Sequence, residues 1–75
     1  MTITTEEFWA LCHLGHLLYR HARPSEAADV FEGLTALYPR ETYPWIGLGA
    51  CKKSLGQAKA SARAFQKALE LTPDA

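Results

Sequence analysis

Residues 45–57 read WIGLGACKKSLGQ, a run that packs three glycines, a cysteine and two adjacent lysines into a segment otherwise patterned as helix. Glycine costs a helix interior about 1 kcal/mol relative to alanine, so Gly47 and Gly49 need a reason to be there. A catalytic loop, a phosphate cradle and a packing seam are the candidates. A glycine-rich phosphate cradle follows a strand and opens a helix, and no strand is expected here. The seam is therefore the reading to test, and it requires a second helix to cross at the glycine.

Sliding the chain along itself supplies that second helix. At a shift of thirty-four residues Leu14 falls on Leu48, Gly15 on Gly49, Ala28 on Ala62, Phe31 on Phe65, Leu37 on Leu71 and Pro39 on Pro73. Ala22 falls on Gly56, at the turn between helices. The local signals then predict four helices of twelve to eighteen residues. Thr4 and Glu7 form a capping box, and Phe8, Leu11, Leu14 and Leu18 give the first helix its stripe; it should end near His21 or Ala22. Pro24 suits the first turn of a second helix, which buries Ala27, Ala28, Phe31, Leu34 and Leu37 until Pro39 stops it. Thr42 can cap a third helix with Pro44 in its first turn, and Gly56 breaks it. A fourth, from about Ala58 to Thr72, is expected to bury Ala62, Phe65, Ala68, Leu69 and Leu71 before Pro73. Gly15 and Gly49 thereby become crossing points, with the rings of Phe31 and Phe65 in the adjoining space; Gly47 is left as a place where something else comes close.

This pattern resembles the tetratricopeptide repeat (TPR), a helix–turn–helix unit of thirty-four residues, from Phe8 to Ala75. The second repeat, about 42–75, shows Trp45, Leu48, Gly49, Gly56, Phe65, Ala68 and Pro73 at the family spacing, with Lys52 for the usual tyrosine and Ser61 for the usual alanine. The first, about 8–41, has Leu14, Gly15, Ala27, Phe31 and Pro39, but Leu11 for the tryptophan, Ala22 for the turn glycine and Leu34 for the second small residue. The resemblance implies an all-α fold, a single TPR domain over residues 1–75, with two repeats as four antiparallel helices in a short right-handed superhelical segment. It also implies a concave groove lined by the first helix of each pair. Carried onto this chain, the groove positions are Trp9, Cys12, His16, Tyr19 and Arg20, then Tyr43, Ile46, Ala50 and Lys53. Aromatic anchors beside a small residue suit hydrophobic side chains of an extended peptide.

Within that class, GLGACKKSLGQ and LLYRHARPSEAADVFEGLTALYP are similar to segments of the class II chaperones of bacterial type III secretion systems, over about fifty residues. Those chaperones hold hydrophobic translocator subunits before export, and they carry three repeats with flanking helices. Two repeats expose an apolar face at each end, so the chain is expected to be a fragment, a compact member of the apparatus, or covered by another subunit. The implied function is a non-enzymatic peptide- or protein-binding module that shields a hydrophobic segment of an exported or assembling partner; the alternative is a general TPR adaptor in a multiprotein complex. Self-association through the repeat faces is a further expectation.

Bulk properties fit a small cytoplasmic binding module. Seventy-five residues leave a modest core, and two cysteines make no disulfide framework. Neither a secretory signal nor an apolar run long enough to insert in a membrane is expected. The net charge of zero divides into −3 over residues 1–41 and +3 over 42–75; a balanced total argues against a nucleic-acid binder. Lys59, Arg63 and Lys67 recur every four residues as a solvated helix face would, without the interleaved aromatics of single-strand binders. Cys12 and His16, four apart, offer half a zinc site, and no second pair completes it. Cys51 reads as a small packed hydrophobe. No cofactor, metal or enzymatic activity is expected.

Overall fold

The computed structural model describes residues 3–72. They form four helices, α1 (Thr5–Arg20), α2 (Pro24–Leu37), α3 (Thr42–Ser54) and α4 (Ala58–Glu70), and no strand occurs among the described residues. The fold is all-α: α1 pairs with α2 and α3 with α4 as helical hairpins, and α3 also packs on α2 and α1. Pro73 lies outside the described residues.

The helix boundaries follow from local chemistry. Thr4 Oγ1 accepts from the Glu7 N–H at 3.0 Å and Glu7 Oε1 accepts from the Thr4 N–H at 2.8 Å, so two orphan donors of the first turn are satisfied reciprocally. Pro24 takes the first turn of α2, where its missing N–H is no loss. Helices α1 and α3 end alike. The Arg23 N–H donates to the Leu18 carbonyl and the Gln57 N–H to the Lys52 carbonyl, both at 2.9 Å. Each reversal needs one left-handed residue just past the helix, supplied by Gly56 at φ +75° and by Ala22 at φ 59°.

Thr42 does not cap α3. The N-cap is Glu41, without a side-chain hydrogen bond, and Thr42 is the first helical residue. The chain enters α3 instead through a bond from outside the helix, the Trp45 indole N–H donating to the Pro39 carbonyl at 2.9 Å.

One apolar cluster runs through all four helices and holds Phe8, Cys12, Ala27, Ala28, Phe31, Leu34, Leu48, Cys51 and Ala64. Its centre is the Phe31 ring. A Cβ on Gly15 of α1 would lie 2.7 Å from Phe31 Cζ, and one on Gly47 of α3 would lie 2.5 Å from it. The ring tip is thus wedged between the backbones of two helices, and this joins the hairpins. Gly47 is a packing glycine, and its partner is the aromatic ring of the other hairpin. Gly49 serves its own hairpin, with Phe65 Cε1 2.8 Å from where its Cβ would be. Ser61 sits at the same crossing and donates to the buried Gly49 carbonyl at 2.8 Å, so the hydroxyl in place of a methyl ties α4 to α3. Lys52 bridges hairpins in the same way, its Nζ 3.1 Å from Glu32 Oε1 of α2.

Several positions expected inside are not. Leu14 is 44% exposed, Leu37 50% and Leu69 60%, Ala62 is exposed, and Phe65 and Leu71 are half-buried. For the positions on α4 the reason lies in the neighbours each helix has. Helix α2 is held between α1 and α3, whereas α4 packs on α3 alone among the described helices. Only the α4 stripe facing α3, namely Ser61, Ala64 and Ala68, is sealed.

Candidate functional site in the cleft between α1 and α3

Helices α1 and α3 lie side by side over α2, and the residues between them leave a hollow of ≈ 250 Å³. Its walls are His16 and Tyr19 from α1 and Tyr43, Ile46, Gly47 and Ala50 from α3, with Phe31 of α2 beneath. Apart from the imidazole and the two phenol hydroxyls, the side chains lining it are apolar. The hollow exists because Gly15 and Gly47 let the Phe31 ring come up between the two helices: the joint between hairpins is also the floor of the cleft.

Five of the nine groove positions are therefore brought together: His16, Tyr19, Tyr43, Ile46 and Ala50. Trp9 extends the surface one helical turn and more toward the N-terminus, with its ring edge-on to Tyr43 at 5.8 Å between centroids. Trp9 continues in turn through Phe8 at 5.1 Å to Tyr38, whose ring is 5.5 Å from that of Phe8. The Tyr38 hydroxyl accepts from the Ile3 N–H at 2.9 Å. Edge-to-face aromatic pairs contribute about 0.5–1.5 kcal/mol each beyond area burial, so this chain of rings fixes Trp9 and Tyr43 although Trp9 is 51% exposed and Tyr43 40%.

Three of the nine positions lie apart from the hollow, and one of them is buried. Cys12 is 2% exposed and belongs to the core. It comes from the face of α1 that meets α2, between the exposed Trp9 and His16, so it offers a ligand nothing to touch. Burial pushes the Cys12 thiol above its ordinary pKa, with the Glu41 carboxylate adding to the shift. Cys51, fully buried, is raised by the same desolvation, and the neighbouring Lys52 ammonium opposes it. Burial thus disfavours the reactive thiolate at both positions. Arg20 is exposed at the end of α1 and takes no part in the hollow. Lys53 turns to a different hollow, at the α3–α4 end of the molecule.

Sequence reasoning missed Phe31 and Gly47 as site residues, placing Phe31 in the core stripe and leaving Gly47 open. The signal was present in the spacing, since Gly47 precedes Gly49 by two positions and so faces a different neighbour on the helix. The proposed half-site for zinc separates into a buried thiol and an exposed imidazole, and no three metal-capable side chains gather among the described residues. On the basic face, Lys59 and Arg63 are exposed, and Lys67 lies 4.0 Å from Glu70. No described helix is long and apolar enough to cross a membrane. Compared with known proteins, the chain matches no family model and no curated protein.

Proposed function

We propose that the chain is a TPR-type binding module whose cleft between α1 and α3 takes a hydrophobic side chain from an extended segment of a partner protein. The observation that supports this most is the hollow itself, with Phe31 as its floor and Tyr19, Tyr43 and Ile46 at its sides. Large exposed apolar residues cluster there: Trp9, Tyr19, Tyr43 and Ile46 are 51%, 37%, 40% and 46% exposed, and such patches on small proteins serve interactions. A leucine-sized anchor fits a hollow of ≈ 250 Å³, and burying one is worth about 1.5–3 kcal/mol. Several anchors along the cleft give a usable affinity, and the fixed rings lower the entropy lost on binding.

The biological form of this activity is a cytoplasmic chaperone of the type III secretion class, which keeps an aggregation-prone partner segment out of water until export or assembly. The reading is tested by purifying the chain from its own host with whatever it holds, weighing the intact complex, and titrating a synthetic peptide of the held segment by calorimetry. Trp9→Ala and Tyr43→Ala should each weaken binding about tenfold or more, in line with the loss of a buried aromatic anchor, while far-ultraviolet circular dichroism stays helical. Unchanged affinity in both variants would remove the cleft from the argument. A co-purified partner belonging to a secretion apparatus favours the chaperone over a general adaptor.

A further inference from the structure

The internal repeat allows one half of the molecule to be compared with the other, position by position. In the first hairpin Ala27, Ala28 and Phe31 are 0%, 2% and 2% exposed, because α2 lies between α1 and α3. Thirty-four residues on, Ser61 is buried against α3, but Ala62 is exposed and Phe65 half-buried. Thr35 and Leu69 repeat the contrast at 6% and 60%. Among the described residues nothing lies over this end of α3 and α4. It is an open hollow of ≈ 410 Å³ lined by Lys53, Gly56, Ala58, Ser61, Ala62 and Phe65, and it shares no residue with the cleft between α1 and α3. The described residues display a face whose counterpart is filled by a helix of the same chain.

The filled counterpart defines what fits. Against Phe31, α3 sets Gly47, where a Cβ would lie 2.5 Å from the ring, and one turn later the fully buried Cys51. An occupant of the open face is accordingly an amphipathic helix with a glycine on the Phe65 ring and a small apolar residue four positions on. The α1 helix of a second copy does not meet this requirement. Thirty-four residues before Gly47 stands His13, and its imidazole would fall where no Cβ is tolerated. Charge narrows the occupant further. Residues 42–72 carry Lys52, Lys53, Lys59, Arg63 and Lys67 against Glu70 alone, with Lys53 lining the hollow and Lys59 next to its Ala58. We infer that the end face of α3 and α4 docks an acidic, amphipathic helix of a partner protein, with a glycine seated on Phe65.

The test uses the full chain, labelled with ¹⁵N, and a peptide with the sequence of residues 42–55 carrying K52E and K53E, which presents the glycine stripe with reversed charge. Amide shifts should concentrate at Ala62, Phe65 and Leu69. The same peptide with Gly47→Leu should bind about tenfold more weakly, the expected result of overpacking at the ring. Ala62→Arg in the protein, at an exposed helical position that tolerates arginine, should cause a similar loss. Equal binding by the glycine and leucine peptides, no binding by either, or shifts centred on Tyr43 and Ile46 would each overturn the inference. So would sedimentation of the chain as an oligomer that buries Phe65, which would make a second copy the occupant.

Discussion

Replacing Gly47 by alanine should destabilise the protein although alanine is the better helix former. In an open helix the change is worth about 1 kcal/mol in favour of alanine. Here the new Cβ would stand 2.5, 2.6 and 2.7 Å from Phe31 Cζ, Cε1 and Cε2. The ring cannot retreat toward α1, because its Cζ and Cε2 are already 2.7 and 2.8 Å from the position of a Gly15 Cβ. Relief must come from moving α3 off the first hairpin, and overpacking of that kind costs about 1–3 kcal/mol. The net expectation is a loss of up to about 2 kcal/mol. Two other glycines calibrate it. At Gly33 nothing lies within 4 Å of an added Cβ, so Gly33→Ala should stabilise by about 0.5–1 kcal/mol. At Gly49 the Cβ would meet Phe65 at 2.8 Å, but that ring is half-buried and can swing outward, so Gly49→Ala should fall between the two; Gly49→Leu exceeds what the ring can yield and should loosen the hairpin outright. Urea titrations followed by circular dichroism, with a common m value, measure all of these. A Gly47→Ala protein as stable as Gly33→Ala would refute the wedge, and a Phe31→Leu change that fails to recover part of the Gly47→Ala loss would count equally against it.

Other substitutions probe separate features. Ala22 occupies a left-handed conformation at φ 59° where its counterpart is Gly56; Ala22→Gly should relieve about 1 kcal/mol of strain, offset in part by unfolded-state entropy, and raise the melting temperature by a few degrees. Ser61→Ala removes the buried bond to the Gly49 carbonyl and should cost about 1 kcal/mol in the same titration. Because burial raises both thiol pKa values, the folded state releases the thiol protons later than the unfolded chain. That contribution is whole below the unfolded thiol pKa, about 8.5, and is lost as pH rises through the folded values. Stability should therefore fall more steeply at alkaline pH in the wild type than in a Cys12→Ala, Cys51→Ala double variant, and neither thiol should react with a disulfide reagent at a rate above that of unfolding.

Much of this was legible in the sequence because the information is local. The Thr4–Glu7 box, Pro24 at a helix start and the Ala22/Gly56 turn positions each depend on residues within one turn of one another, and all stand where the pattern places them. The thirty-four-residue self-match located Gly15 and Gly49 against Phe31 and Phe65. What the pattern could not supply is which side of a helix lacks a neighbour. Leu69 and Ala62 have the same periodicity as sealed residues, and they are exposed because, among the described helices, α4 has one neighbour where α2 has two. Cys12 was misassigned for the converse reason. A groove position inherited from repeat spacing assumes a fixed rotation of α1, and here that rotation turns the thiol onto α2. Thr42 is the first residue of α3 rather than its cap: Glu41 stands at the N-cap position without a side-chain bond, and the Trp45 indole ties the first turn to the Pro39 carbonyl.

The two indoles divide the molecule between them. Trp9 stands 51% exposed on the cleft, edge-on to Tyr43, while Trp45 is half-buried, tied to Pro39 and beside Ala60 and Ala64 of α4. Excited at the same wavelength, they report different events. A segment entering the cleft removes water from Trp9 and shifts its emission to the blue, while loss of the second hairpin frees the Trp45 N–H and shifts that emission to the red. With Trp9→Phe or Trp45→Phe the protein carries a single built-in optical probe, of folding in one case and of occupancy in the other, and no dye has to be attached near two buried thiols.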